Sequence, residues 1–163
     1  MLLALCLKQT MANIDLNQLK KLRNETSASV SDCRKALDES SGDYNKALAW
    51  LKKRAAAIAE KKSERTTGQG LIESYIHAGG KVGVLIELLC ETDFVARTDE
   101  FKQLAKELGM QIAAMKPDSV ETLMKQEYIR DGSLTIQDLI KGVIGKLGEN
   151  ISVKRFSRFS IGE

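Results

Sequence analysis

The sequence predicts an α+β protein: a three-helix module followed by a small antiparallel-sheet domain of order β-β-α-α-β, with the helices on one face of the sheet. Three observations predict it. Apolar residues recur at helical spacing through residues 13–58, the period changes to two from Val82 to Cys90, and helical spacing returns before a last strand-like segment.

Leu16, Leu19 and Leu22 mark the first helix, and Val30, Cys33 and Leu37 the second. Tyr44, Ala47, Leu48 and Leu51 mark the third. Ser29 with Asp32 resembles a capping box for the second, and "SSGD" breaks the chain before Asp43 caps the third. The polar "AEKKSERTTGQG" is a fraying helix that runs into a linker. The expected domains are therefore residues 13–60 and 70–163, with 61–69 between them.

In the second domain Val82, Val84, Ile86, Leu88 and Cys90 share one strand face. "HAGGK" is a turn signal that makes "LIESYIH" the other arm of a hairpin. Phe101, Leu104, Ala105, Leu108 and Ile112 form a helical stripe that must stop before Pro117. Ile136, Leu139, Ile140, Val143 and Leu147 form another, opened by Thr135 with Asp138 and closed by Gly148. "ISVKRFSRFSI" is the last strand, and its apolar parity shifts between Val153 and Phe156, which predicts a bulge.

Composition narrows the function classes. A net charge of +3 is too small a surplus for nucleic-acid binding to follow from charge alone. Cys6, Cys33 and Cys90 are widely spaced, which argues against a disulfide framework or a zinc site and for a reducing, cytoplasmic setting. "MLLALCLKQT" lacks a basic leader and is too short to span a bilayer, and Met11 is an alternative start.

Catalytic patterns are sparse. His77 is the only histidine and has no nucleophile placed for it in the sequence. "GVIGKLGEN" is not a phosphate loop, because Ile140 stands where its first glycine belongs and Leu147 where Ser or Thr must follow the lysine. Cys33, His77 and Cys90 are too scattered to predict a metal site, and no cofactor is expected. Lys52, Lys53, Arg54, Lys61, Lys62 and Arg65 spread around a helix as solvated charge. Lys154, Arg155 and Arg158 on the last strand suit either an RNA surface or an edge protected from aggregation.

The segment "CETDFVARTDEF" poses the sharpest question. Continued strand parity would make Phe94 a core residue. Thr92 and Asp93 are N-cap types, however, and a turn at this point would make Phe94 project instead. Both fates remain open on the local pattern.

From Ile14 to Glu163 the chain resembles elongation factor Ts, through "LKKLRNETSASVSDCRKALDESSGDYNKALAWLKKRAAAIAEKK", "VLIELLCETDFVARTDEF" and "IGKLGENISVKRFSRFSIGE" in that order. The resemblance implies a ubiquitin-associated-like N-terminal module and a guanine-nucleotide exchange factor for elongation factor Tu that is not an enzyme in the covalent sense. It assigns Thr92, Asp93, Phe94 and Val95 to an exchange wedge, and Arg23, Val30, Ser31 and Arg34 to a weaker contact by the N-terminal module. Many members have Gly-Ala-Gly-Met-Met where this chain has Ser27-Ala28-Ser29-Val30-Ser31. Longer members carry a second core and a helical hairpin, for which "KPDSVETLMKQEYIRDGSLT" has no room. Short members pair as homodimers, which implies a homodimer here through the sheet around Phe156 and Phe159, although the parity of both also fits core packing. Neither nucleic acid nor membrane is an expected partner. A small RNA- or ribosome-associated protein and a ubiquitin-associated-type adaptor are the competing classes, and neither gives the "TDFV" turn a role.

Overall fold

The computed structural model describes residues 15–162 with the exception of 27 and 78. The N-terminal apolar run, Met11 and the expected domain start at residue 13 lie outside the described residues, as does Ser27.

Three helices come first, α1 (Leu16–Thr26), α2 (Val30–Glu39) and α3 (Tyr44–Lys62). Leu22, Cys33, Ala36, Leu37, Ala47 and Leu51 form their core; most belong to the spacings that predict the helices, whereas Leu16 and Val30 of those spacings are exposed. Ser29 caps α2 by accepting the Asp32 N–H at 3.0 Å, and Asp43 accepts the Lys46 N–H at the start of α3 at 3.1 Å. Between them Gly42 takes φ 80°, which lets the chain reverse at once. Packing divides the chain between Lys53 and Arg54, inside α3. The residues beyond belong with the sheet, where Ala59 is buried among its apolar side chains.

The second unit begins with β1 (Gln69–Ile76) and β2 (Val82–Cys90), an antiparallel hairpin. Two glycines with positive φ, Gly79 at 85° and Gly80 at 70°, sit in its turn. Val84, Ile86, Leu88 and Cys90 are buried on one face, as their alternation predicts. A four-residue helix, α4 (Asp93–Ala96), leads into α5 (Asp99–Met115), whose Phe101, Leu104, Ala105, Leu108 and Ile112 pack into the core. Lys116, at φ 45°, ends α5 just before Pro117.

The chain continues through α6 (Val120–Lys125), β3 (Glu127–Tyr128), β4 (Asp131–Thr135) and α7 (Ile136–Leu147) to β5 (Ile151–Ser160). Thr135 and Asp138 form the expected capping box, and Gly148 at φ 77° closes α7. The sheet order is β1-β2-β5, with β2 in the centre. The bulge is also present: Glu87 pairs with Arg155 and Leu88 with Val153, which leaves Lys154 as the extra residue. It turns Phe156 inward opposite Ile86, against the core. Phe159, opposite Gly83, is left 67% exposed.

The α+β architecture is the one the sequence predicts, with the short α4, α6 and the β3–β4 hairpin as additions. In the hairpin β3 is too short for a period to show, and β4, exposed at its first three residues, does not alternate. A helix side chain holds the hairpin instead: the fully buried Gln111 donates to the Glu127 carbonyl at 3.0 Å and accepts the Ile129 N–H at 3.0 Å. Beside it Glu107 accepts the Tyr128 hydroxyl at 2.8 Å and pairs with Arg130 at 3.2 Å.

Candidate functional site

The turn between β2 and α5 carries the most exposed large apolar side chain among the described residues. Phe94 is 88% exposed, whereas Val95 and Ala96 beside it are buried. Of the two open fates, projection is therefore the one adopted. Thr92 leaves the strand with extended backbone and caps α4, its hydroxyl oxygen facing the Val95 N–H at 3.5 Å. The strand parity stops there, so Phe94 does not inherit the inward face of Cys90.

Phe94 makes no packing that holds it, so the backbone beneath it must set its direction. Val95 and Ala96 pin α4 to the core. Thr98 donates to the Val95 carbonyl at 2.8 Å and accepts the Phe101 N–H at 3.3 Å, which locks the end of α4 to the start of α5. Cys90 donates its thiol to the Thr92 carbonyl at 3.1 Å. Burial raises the pKa of that thiol, with the Glu149 charge adding to the effect, so Cys90 is a protonated donor at neutral pH. Asp93 pairs with Arg97 at 2.5 Å on the exposed side of α4.

The segment after α7 fastens the other end of the turn. Glu149 accepts both the Thr92 N–H at 2.9 Å and the Thr92 hydroxyl at 2.6 Å. In the reverse sense Glu91 accepts the Asn150 N–H at 2.7 Å. Asn150 is buried, and its side-chain amide donates to the carbonyls of Ser63 and Arg65. Arg65 also reaches Glu91 at 3.5 Å, and Lys62 donates to the Gly148 carbonyl. The Asn150 N–H, first, and then Arg65 hold the Glu91 carboxyl below its ordinary range.

Thr92, Asp93, Phe94 and Val95 thus come together as one projection, in which Phe94 and Asp93 face solvent and Val95 is buried. Arg23, Val30, Ser31 and Arg34 are exposed on α1 and α2 of the other unit. Val30 is 47% exposed and offers an apolar surface, while the Ser31 hydroxyl lies 2.9 Å from that of Ser29. Sequence reasoning missed Glu91, Glu149 and Asn150. The one signal for them was "GEN" after a helix-ending glycine, and nothing in it points to Thr92.

The remaining candidates carry less. His77 is exposed, 3.3 Å from the Tyr75 hydroxyl. Among the described residues no three histidine, cysteine or carboxylate side chains gather in a metal-binding group. No described helix is long and apolar enough to cross a membrane. Of the basic residues on β5, Arg155 is paired to Glu87 at 2.6 Å and Arg158 donates to the Ala113 carbonyl at 3.3 Å.

Comparison with known proteins adds the following. A family model described as Elongation factor TS matches residues 91–163, the span from the Phe94 turn to the end of the chain. A protein named Elongation factor Ts from Rippkaea orientalis is 42% identical, with 94% of this chain and 80% of that protein covered. One of the same name from Synechococcus elongatus is 41% identical, with 94% and 90% covered. One from Nostoc sp. is 50% identical over 151 residues, which are 93% of this chain and 48% of the Nostoc protein. The first two matches run over 199 residues against a chain of 163, so those relatives contain residues that have no counterpart here.

Proposed function

The chain belongs to the elongation factor Ts family, and from that premise we propose that it is the guanine-nucleotide exchange factor of elongation factor Tu, promoting GDP release so that GTP can reload during translation elongation. The observation that carries this reading is Phe94: a phenylalanine 88% exposed on a turn fastened at Thr92 on one side and at Val95 on the other. Such a ring is costly to leave in water unless a partner covers it, and its rigid base limits the ordering cost when one does.

Exchange of this kind needs no covalent step. The factor binds the nucleotide-free state of its partner better than the nucleotide-bound state and shifts the equilibrium between them. Linkage then requires that nucleotide weaken the factor as much as the factor weakens nucleotide. The Thr92, Asp93, Phe94 and Val95 turn supplies the differential contact, with Phe94 as the inserted group and Asp93 as its polar neighbour. Truncating a central aromatic costs about 2 to 4 kcal/mol, or roughly 30- to 1000-fold in an equilibrium constant. Val30 on α2 offers a second, smaller apolar contact, with Arg23, Ser31 and Arg34 at its margin. The setting is the cytoplasm, where that partner works.

A homodimer is the second part of the proposal. Ile72, Ile76, Leu85, Phe159 and Ile161 are all exposed on the outer face of the sheet or just beyond its last strand. A second copy of that face is the occupant that suits it, and Phe159→Asp should shift the molar mass seen by light scattering towards the monomer.

The decisive experiment is release of fluorescent GDP from elongation factor Tu, with wild-type chain and with Phe94→Ala. Acceleration by wild type and its loss in the folded variant support exchange through Phe94. No acceleration by wild type, together with salt-steep RNA binding, would replace the reading with an RNA-associated one.

A further inference from the structure

We infer that Glu149 is a positioning residue for exchange: it acts through Thr92 to hold the Phe94 turn in its inserting orientation, and this rests on the exchange reading above. Its carboxylate takes two donors from one residue, the Thr92 N–H at 2.9 Å and the Thr92 Oγ–H at 2.6 Å. Because the hydroxyl hydrogen is committed to Glu149, the oxygen lone pair is free to face the Val95 N–H. Glu149 therefore selects the hydroxyl orientation that caps α4. Charge-assisted bonds of this length are the strong class, and two on one carboxylate also set direction.

The bracket is long-range. Thr92 and Glu149 stand 57 positions apart, so it ties the end of β2 to the segment closing α7. Glu91 and Asn150 tie the same two segments in the opposite sense. The two brackets differ in what they hold. Asn150 is buried and also secures the Ser63 and Arg65 carbonyls, so its loss would disturb the fold widely. Among the described residues the carboxylate of Glu149 accepts hydrogen bonds from Thr92 alone, from both the backbone and the hydroxyl at which the cap begins. Its effect should accordingly be local to the Phe94 turn. Since Phe94 has no packing of its own, any freedom at Thr92 passes directly to the ring, and misplacement of an inserting group weakens the one state that rewards insertion.

The test uses the full chain carrying 4-fluorophenylalanine, with the Phe94 resonance assigned by its disappearance in Phe94→Ala. Fluorine spectra and fluorescent-GDP release from elongation factor Tu are measured for wild type, Glu149→Ala, Phe94→Ala and the double variant. Expected is a shifted or broadened Phe94 resonance in Glu149→Ala, with the other phenylalanine lines unmoved. Acceleration of GDP release should fall about tenfold or more, because Glu149→Ala removes both charge-assisted hydrogen bonds and the loss of one alone changes an equilibrium constant about tenfold. In the Phe94→Ala background the same change should cost nothing further, because residues acting as a unit are not additive. Glu149→Gln, which offers one good acceptor to two donors, should recover part of the loss and serves in place of Glu149→Ala should that chain not fold.

An unchanged Phe94 resonance with unchanged exchange overturns the inference. So does a loss that is equally large in the Phe94→Ala background, which would make Glu149 a contact in its own right. If wild type does not accelerate release at all, the exchange reading falls separately, and the Phe94 resonance alone then decides whether Glu149 holds the turn.

Discussion

Phe94 and Phe101 lie on either side of Thr98 and meet opposite fates: the first is 88% exposed and the second fully buried. Thr98 connects them, donating to the Val95 carbonyl and accepting the Phe101 N–H. One residue serves as the floor of the turn and as the cap of the next helix, so the backbone beneath the exposed ring is fastened to the backbone of the residue whose ring fills the core.

Truncation of the two rings should separate function from stability. Phe94→Ala should alter unfolding free energy by no more than about 0.5 kcal/mol, as an exposed substitution does. It should nevertheless abolish most acceleration of GDP release. Phe101→Ala should cost about 3 to 5 kcal/mol through lost burial and the cavity left behind. Urea unfolding followed by circular dichroism measures both, beside the nucleotide-release assay.

Tyr128 should make the fold sensitive to alkali. Burial, and then the hydrogen bond to Glu107, push its phenol up to about 12 from an ordinary 10.0. The folded pKa lies above the unfolded one, so this stabilisation is complete below pH 10 and is lost as pH rises from 10 towards 12. Tyr128→Phe cannot ionise and should lose that part of the alkaline slope, although it leaves Glu107 one donor short at neutral pH. Thermal melts from pH 8 upward, compared between the two proteins, read the difference.

Glu91 gives the opposite sign. Its folded carboxyl lies below the ordinary 4.5, because the Asn150 N–H and then Arg65 favour the charged form. That stabilisation is present above pH 4.5 and is lost as pH falls through the lower, folded value. Glu91→Gln keeps an acceptor for Asn150 but no charge. The gap in melting temperature between wild type and this variant should therefore be widest near neutral pH and close on acidification.

Gly70 sits where a side chain has no room. A Cβ there would stand 2.1 Å from the Leu88 carbonyl oxygen and 2.8 Å from the Leu89 Cα, both backbone atoms of the central strand. Neither can yield without parting the ladder between β1 and β2. Gly70→Ala should cost roughly 1 to 3 kcal/mol, in the range of overpacking, and hydrogen exchange should show the loss first at the amides of β1.

The sequence by itself determined the elements whose signals are local. Alternation at Val84, Ile86, Leu88 and Cys90 and the helical stripe from Phe101 to Ile112 foretell which face is buried, because side-chain direction follows backbone period. Thr135 with Asp138 and Gly148 mark the ends of α7 within a few residues of themselves. The parity shift before Phe156 foretells the bulge. The β3–β4 hairpin was not legible, since Gln111 and Glu107 hold it from another element.

Phe94 marks the limit most clearly. Strand parity pointed it inward, the cap at Thr92 pointed it outward, and both signals were sound. Only the tertiary structure decided between them, by placing Val95 and Ala96 in the core and by bringing Glu149 from 57 positions away to hold Thr92. Local spacing determines which residues can be buried together. Which of two neighbours at a turn faces solvent depends on where distant groups fasten the backbone, and no period in the chain records that.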